Sequence, residues 1–493
     1  MTAGHDPDAS AVRQARASGA EIYLRLLVEA ELRRAVVYPR YEPPRTGSAP
    51  RPVPAAESMD RVRAAAEALT VIGAIEDATA HSALTGFKAA LALRSKVPLQ
   101  LLDGVPLARW NQRRLPAAGL PGGAVHVVSV GGSLPGGRDG EALHLLTLLL
   151  APGRAAALTV AGRVPPDHRL SRRELPIGPF GPYSLPDLGL TFTDDRGNRY
   201  GGEISGGGTC DGTWWSLELI FSPLPPADIG WLDIAAVNRP ASVRVHLAAA
   251  VAAGCPPARP VTPASAVQAS SGTGALPPVS AGSPGERLLD SIAENLLWSS
   301  LWHGDENPER PRLAAMAAAL RGAHAVKSGS PALNRYAALS HRLGIAACGG
   351  LRAATGADLP PAWDDVLAGR GTQDGREEAM PVAAVLPEID GARFALTGLC
   401  CSGETATLRA LAWGWQPEDE PLNQAPFSWW ARDSAGRWHV ARQVWSGQHR
   451  NGAVLDITLI PPLHPAATSL EIFLTGSSER ATATVPLLRQ ATS

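Results

Sequence analysis

Cysteine is scarce in this chain: five in 493 residues, at Cys210, Cys255, Cys348, Cys400 and Cys401. The number is odd and no C-x-x-C pair occurs, which excludes a zinc ribbon and fits a reduced compartment best. Net charge is nearly absent, with 45 Lys+Arg against 46 Asp+Glu. Nucleic-acid binders carry a clustered basic excess, because neutralising phosphates drives their affinity. No basic stripe is present here. The densest cluster, Arg109 with Arg113 and Arg114, reads as a helix end or a loop. Long apolar runs are missing too. "LLTLLLAPGRAAALTVAG" is broken by Pro152, Gly153 and Arg154, and no stretch reaches the roughly 18 apolar residues of a membrane span. The N-terminus lacks the charged and apolar regions of a secretory signal, so the cytoplasm is the expected location, without membrane insertion.

What is present is repetition. "GTWWSLELIFSPLPPADIGWLDI" and "NGAVLDITLIPPLHPAATSLEI" superpose at an offset of 238, pairing Leu217 with Leu455, Leu219 with Ile457 and Ile234 with Ile472. Upstream the offset becomes 239 and places Asp194 on Asp433 and Gly197 on Gly436. At 250, "HLLTLLLAPGRAAAL" lies over "FALTGLCCSGETATL". The helical stretches beginning at Arg61 and Arg312 pair at 251, and those beginning at Glu21 and Glu286 at 265. Matches in one order, with offsets that change only across loops, point to a tandem duplication.

The expected fold is therefore α+β and multidomain: a small helical module followed by an antiparallel β-sandwich, written twice. The boundaries read as a tail at 1–17, helical module 18–110 with a Pro-rich insert at 42–57, sandwich 111–250, linker 251–283, helical module 284–375 and sandwich 376–490. The linker is rich in Pro, Ser, Ala and Gly, the composition of a flexible tether. Tyr23, Leu24, Leu27, Val28 and Leu32 form a helical apolar stripe. Ser58 and Asp77 are candidate helix caps, and Ser330-Pro331 is a stronger start signal. "WSLELIF" alternates at period two, with Trp215, Leu217, Leu219 and Phe221 on the core face and Ser216 and Glu218 on the other. About eight short strands with Gly/Pro turns and an Asp-x-x-Gly hairpin resemble an immunoglobulin-like sandwich. The Cys…Trp…Cys spacing of true immunoglobulin domains is missing.

No nucleotide loop, HExxH or G-x-S-x-G motif occurs, so neither a cofactor nor catalysis is expected. Four clusters carry candidate chemistry. Asp194 and Asp195 in "LTFTDDRGNRY" offer too few oxygens for calcium and fit a hairpin turn. His303, Asp305, Glu306 and Glu309 form the densest group of potential metal ligands, in what reads as an interhelical loop. Ser205 and Cys210 lie in the glycine-rich "GGEISGGGTCDG", which reads as a long hairpin connection. The thirteen tryptophans come last. Adjacent tryptophans on a strand point to opposite faces, so one of Trp214/Trp215 and one of Trp429/Trp430 should be partly exposed. Trp214, Trp413, Trp415, Trp429, Trp430 and Trp445 are thus the candidate binding residues, against the alternative that they pack on their own helices or on the other sandwich. The expected role is protein–protein interaction, as a scaffold or regulatory accessory protein. A carbohydrate- or ligand-binding module using the same tryptophans with Asp433, Arg432 and Gln443 is the other expectation, and a hydrolase ranks last.

Overall fold

The computed structural model describes residues 19–32, 54–95, 126–135, 142–151, 155–163, 190–210, 213–222, 229–236, 241–247, 262–263, 282–304, 307–345, 359–372, 374–413, 427–449, 452–476 and 479–487. The chain divides into two compact units. One comprises Met1–Arg113 with Ser280–Pro360, the other Arg114–Val279 with Pro361–Ser493. Among the described residues there are seven helices, and every strand pairing is antiparallel, so the fold is α+β. No helix among them is long and apolar enough to cross a membrane.

The first unit is helical. α1 (residues 19–32) buries Leu24 and Leu32 on the expected stripe and leaves Ile22 and Leu26 exposed. α2 (Pro54–Val71) starts four residues before Ser58, with Pro54 in its first turn, so Ser58 is buried inside the helix and does not cap it. Gly73 ends that segment with a positive φ. Asp77 is the first residue of α3 (Asp77–Ser95). α4 (Pro284–His303) opens on a capping box between Ser283 and Glu286. α5 (Arg310–Gly322) and α6 (Pro331–Arg342) follow, with Ser330 accepting from the Leu333 amide. Ion pairs tie helices distant in sequence: Arg312 to Glu67 at 3.2 Å and Arg335 to Asp290 at 2.6 Å.

The second unit holds the strands. In its first half, β1 (His126–Pro135), β2 (Ala142–Ala151), β3 (Ala155–Arg163), β4 (Leu190–Asp194), β5 (Arg199–Cys210), β6 (Trp214–Ser222), β7 (Trp231–Ala236) and β8 (Ser242–His246) lie close to the places the alternation predicts. They pair in the order β1-β2-β3-β6-β5-β4-β7-β8. β3 beside β6 and β7 beside β4 make this a Greek key. The sheet curls until Gly132 of β1 meets β8, where an added Cβ would fall 2.7 Å from Val243 Cγ1. The glycine-rich segment Gly201–Cys210 is strand, not loop: it pairs with β6 along its length, with a bulge between Ile204 and Gly206.

β9 (Thr262–Pro263) pairs with Glu479 and Arg480. α7 (Pro361–Ala368) precedes the second half: β10 (Glu378–Met380), β11 (Ala384–Val385), β12 (Arg393–Cys401), β13 (Ala406–Trp413), β14 (Ser428–Asp433), β15 (Trp438–His449), β16 (Gly452–Ile460), β17 (Ser469–Thr475) and β18 (Glu479–Pro486). The order β11-β12-β13-β16-β15-β14-β17-β18 matches the first half strand for strand, with β10 also on β12.

Each half has its own core. Leu217, Leu219, Phe192, Leu232 and Ile234 fill the first; Leu455, Ile457, Leu459, Trp429 and Ile472 fill the second. The opposite face of β2-β3-β6 is also buried, against β12-β13-β16. Leu149, Ala157, Leu411, Trp413 and Val454 pack there, as do Leu146, Trp214 and Cys400. Cys401 points the other way, into the second core. The face carrying Ser216 and Glu218 is therefore interior, contrary to the expectation of a polar outer face. A second sheet layer covers it.

Candidate functional site

The Asp-x-x-Gly turns come first. Asp194 Oδ1 accepts from the amides of Arg196 (3.0 Å) and Asn198 (2.8 Å). Its Oδ2 accepts from Asn198 Nδ2 (2.8 Å) and from the Tyr200 hydroxyl (2.6 Å). Gly197 and Gly436 take positive φ at the matching turn position, which a Cβ would strain. Asp433 receives the amides of Ala435, Arg437 and His464, each at 3.0 Å, and His439 Nε2 lies 3.5 Å away. Burial, the largest single influence, pushes both carboxyls up. The donors outweigh it together and hold each at about 2: the Tyr200 hydroxyl and Asn198 for Asp194, the contacts with His439, His464 and Arg437 for Asp433. Burial and the Asp194 carboxylate raise Tyr200 to about 12. Carboxylates engaged in this way staple their turns.

Asp195 has a different task. Its Oδ2 accepts the Gly230 amide at 2.6 Å, just before β7. In the second half Ser434 Oγ accepts the Thr468 amide at 2.8 Å, just before β17. Aspartate and serine are interchangeable here because one acceptor oxygen is all the position requires.

The candidate tryptophans are mostly inside. Trp214 and Trp413 are buried between the two sheet layers, and Trp214 Nε1 donates to the Cys401 carbonyl at 2.9 Å. Trp429 lies in the second core and donates to Gln443 Oε1 at 2.9 Å. Trp430 does point away from that core, as alternation requires, but α7 covers it: the Trp363 ring stacks on it at 6.4 Å and 9°. The expected exposure of one of Trp429/Trp430 is thus corrected by a helix 67 residues upstream. Of the other pair, Trp215 is half-buried. The Trp445 side chain and the whole of Trp415 lie outside the described residues. The polar neighbours of these rings are engaged within the fold. Arg432 pairs with Glu471 at 2.8 Å, and Asp433 holds its turn.

One tryptophan that was not singled out offers a surface. Trp231 and Asp233 alternate outward on β7, opposite the buried Leu232 and Ile234. On β8, Arg244 and His246 face the same way, paired across from Asp233 and Trp231. The Arg244 guanidinium sits 3.9 Å from the Trp231 ring centroid and makes two 2.7 Å hydrogen bonds to Asp233. Those bonds lower the Asp233 carboxyl and raise Arg244. On this face Thr191, Arg244 and His246 are exposed, and Thr193, Trp231 and Asp233 are half-buried. The signal was legible as "WLDIAA", whose i, i+2 polar side carries an aromatic ring.

The remaining clusters lie only partly within the described residues. His303 ends α4 and Glu309 precedes α5, while Asp305 and Glu306 lie outside the described residues. Asn307 pins this loop by donating to Ser299 Oγ at 2.8 Å. Ser205 and Cys210 lie on β5, and their side chains are outside the described set. No group of three His, Cys, Asp or Glu among the described residues could hold a metal ion.

No protein-family model and no curated protein matches the chain. Among solved structures, the chain is similar to "the crystal structure of the conserved domain protein from Bacillus anthracis", at 9% identity. The match covers 74% of this chain and 92% of that one, with a TM-score of 0.19, too low to carry an argument.

Proposed function

We propose that the chain is a non-enzymatic scaffold or regulatory accessory protein, built by tandem duplication of a helical module and an immunoglobulin-like sandwich, that binds a protein partner in the cytoplasm. The repeated strand order, the two Asp turns and the Asp195/Ser434 staples support the duplication. The open β7–β8 face supports the binding role. Its Trp231 is held rigid beneath Arg244, which Asp233 orients in turn, and tryptophan and arginine dominate the energetics of protein interfaces. Trp415 and Trp445 remain candidates for the same surface. No cofactor and no nucleic acid enters this reading.

A photo-crosslinking residue at the exposed Ser242 tests it. Adducts to a protein partner should form, and Trp231→Ala should weaken them at least about thirtyfold, the equivalent of about 2 kcal/mol at a central aromatic contact. Adducts indifferent to Trp231→Ala would sink the proposed surface.

Carbohydrate binding stands second. It is favoured only by the aromatic ring among polar groups, and Arg244 already occupies one face of that ring. Saturable, Trp231-dependent binding on a glycan array would put it first.

A further inference from the structure

At the centre of the buried junction lies a polar cluster. Thr147, Thr159 and Glu218 come from the first half, and Thr397, Arg409 and Asp456 from the second. The three threonines, Glu218 and Arg409 are all at most 2% exposed. Thr147 Oγ1 donates to the Thr397 carbonyl at 2.6 Å. It also lies 3.2 Å from Thr159 Oγ1. Thr159 Oγ1 is 2.6 Å from Glu218 Oε1, and Thr397 Oγ1 is 3.3 Å from the same oxygen. Arg409 reaches both oxygens of Asp456, at 2.9 and 3.2 Å.

Thr159 and Thr397, one from each half, both donate to Glu218 Oε1, so this carboxyl ties the two layers together. Charge decides its state. One guanidinium, already bound to Asp456, faces two carboxyls, so an ionised Glu218 would leave an uncompensated negative charge in a space closed to water.

We propose that Glu218 is a proton-operated latch between the two sheet layers. Neutral, it accepts from Thr159 and Thr397 and joins the layers without burying a charge. Ionised, it places an uncompensated charge between them, and the junction loosens.

The described charged and titratable groups around it are few. Arg409 stands on β13, Asp456 on β16 and the Cys400 thiol on β12, where it interacts with Arg409. β3 presents only Thr159. On β2, His144 sits edge-on to Trp214, its ring centroid 5.6 Å away. Burial raises the Glu218 carboxyl to about 7 against the opposing pull of Arg409, Thr159 and Thr397, and Asp456 adds to the rise. The closed junction therefore holds a proton that the opened one releases between the ordinary carboxyl value of 4.5 and about 7. Closure is strongest at the acid end of that window and weakens as pH rises through it.

Hydrogen exchange on the full chain tests the latch. Protection factors of β3, β6 and β12 amides should fall by up to about tenfold per pH unit from pH ~5 to ~7. Glu218→Gln, whose amide oxygen can still accept from Thr159 and Thr397 without a charge, should flatten that dependence and keep protection high at pH ~8. Asp456→Asn, which frees Arg409 for Glu218, should move the fall below pH ~5. A wild-type profile that is flat over this range overturns the proposal, as does a Glu218→Gln profile that parallels it. Should Glu218→Gln not fold, an Asp456→Asn profile unmoved from wild type overturns it equally.

Discussion

The two β halves share a strand order and a pair of turn staples, yet they treat their outer faces in opposite ways. In the second half α7 lays Trp363 over Trp430, and Trp438 and Phe473 continue the aromatic layer at ring separations of 6.5 and 5.2 Å. In the first half the corresponding strands carry Thr191, Thr193, Asp233 and Arg244 around a half-buried Trp231. One face is sealed by a helix, and on the other Trp231 stays half-buried beside an exposed Arg244. What a tryptophan does on such a sheet depends on whether a helix arrives to cover it, and strand alternation alone does not say.

The comparison can be broken first at the helix. Trp363→Ala removes a fully buried ring and should cost about 3–5 kcal/mol in chemical denaturation. A loss below about 1 kcal/mol would mean that α7 does not seal the second half. The turns come next. Asp433 is held near 2, below its ordinary value of 3.8. Its contribution is complete above about pH 4 and disappears as pH falls through about 2, a difference of about 2 kcal/mol. Asp433→Asn should remove that acid dependence, as read from denaturation midpoints between pH ~2 and ~5. Asp194→Asn should act in the same direction, and a difference in sign would separate the two turns. The smallest stability effect belongs to Trp231→Ala. Losing a half-exposed ring and its arginine contact should cost about 1 kcal/mol or less, while partner crosslinking falls sharply. A large destabilisation would move Trp231 to the structural side of the comparison.

Much of this architecture was legible in the sequence. The expected strands overlap all eight of the first half, although only the start of β5, and Asp-x-x-Gly announced both turns. Cys400 and Cys401 went to opposite faces, as adjacent strand residues must. The misses share a cause. Alternation separates two faces of a strand but does not say what lies against each. Glu218 and Ser216 marked a polar side and so suggested water, whereas another sheet covers them. Trp429 and Trp430 do go to opposite faces, and only the distant Trp363 makes the outward side interior. The glycines of 201–208 suggested a loop, but continuous pairing with β6 keeps them in a strand. Trp231 was visible yet outranked by paired tryptophans that turned out to be core.

The hydrogen bond from Thr147 to Thr397 also has a historical side. These residues are 250 positions apart, the same offset that superposes their strands, so each touches its own counterpart. Self-contact of that kind marks a two-fold axis. On the duplication reading, the single-copy ancestor would have been a homodimer with this threonine on its axis. Thr159 and Arg409 are counterparts at the same offset, and Glu218 and Asp456 at 238. A homodimer must carry either two arginines or none at that position. On the same reading, fusing the copies would release that constraint and allow one arginine for two acids, an inequality that only a single chain can inherit.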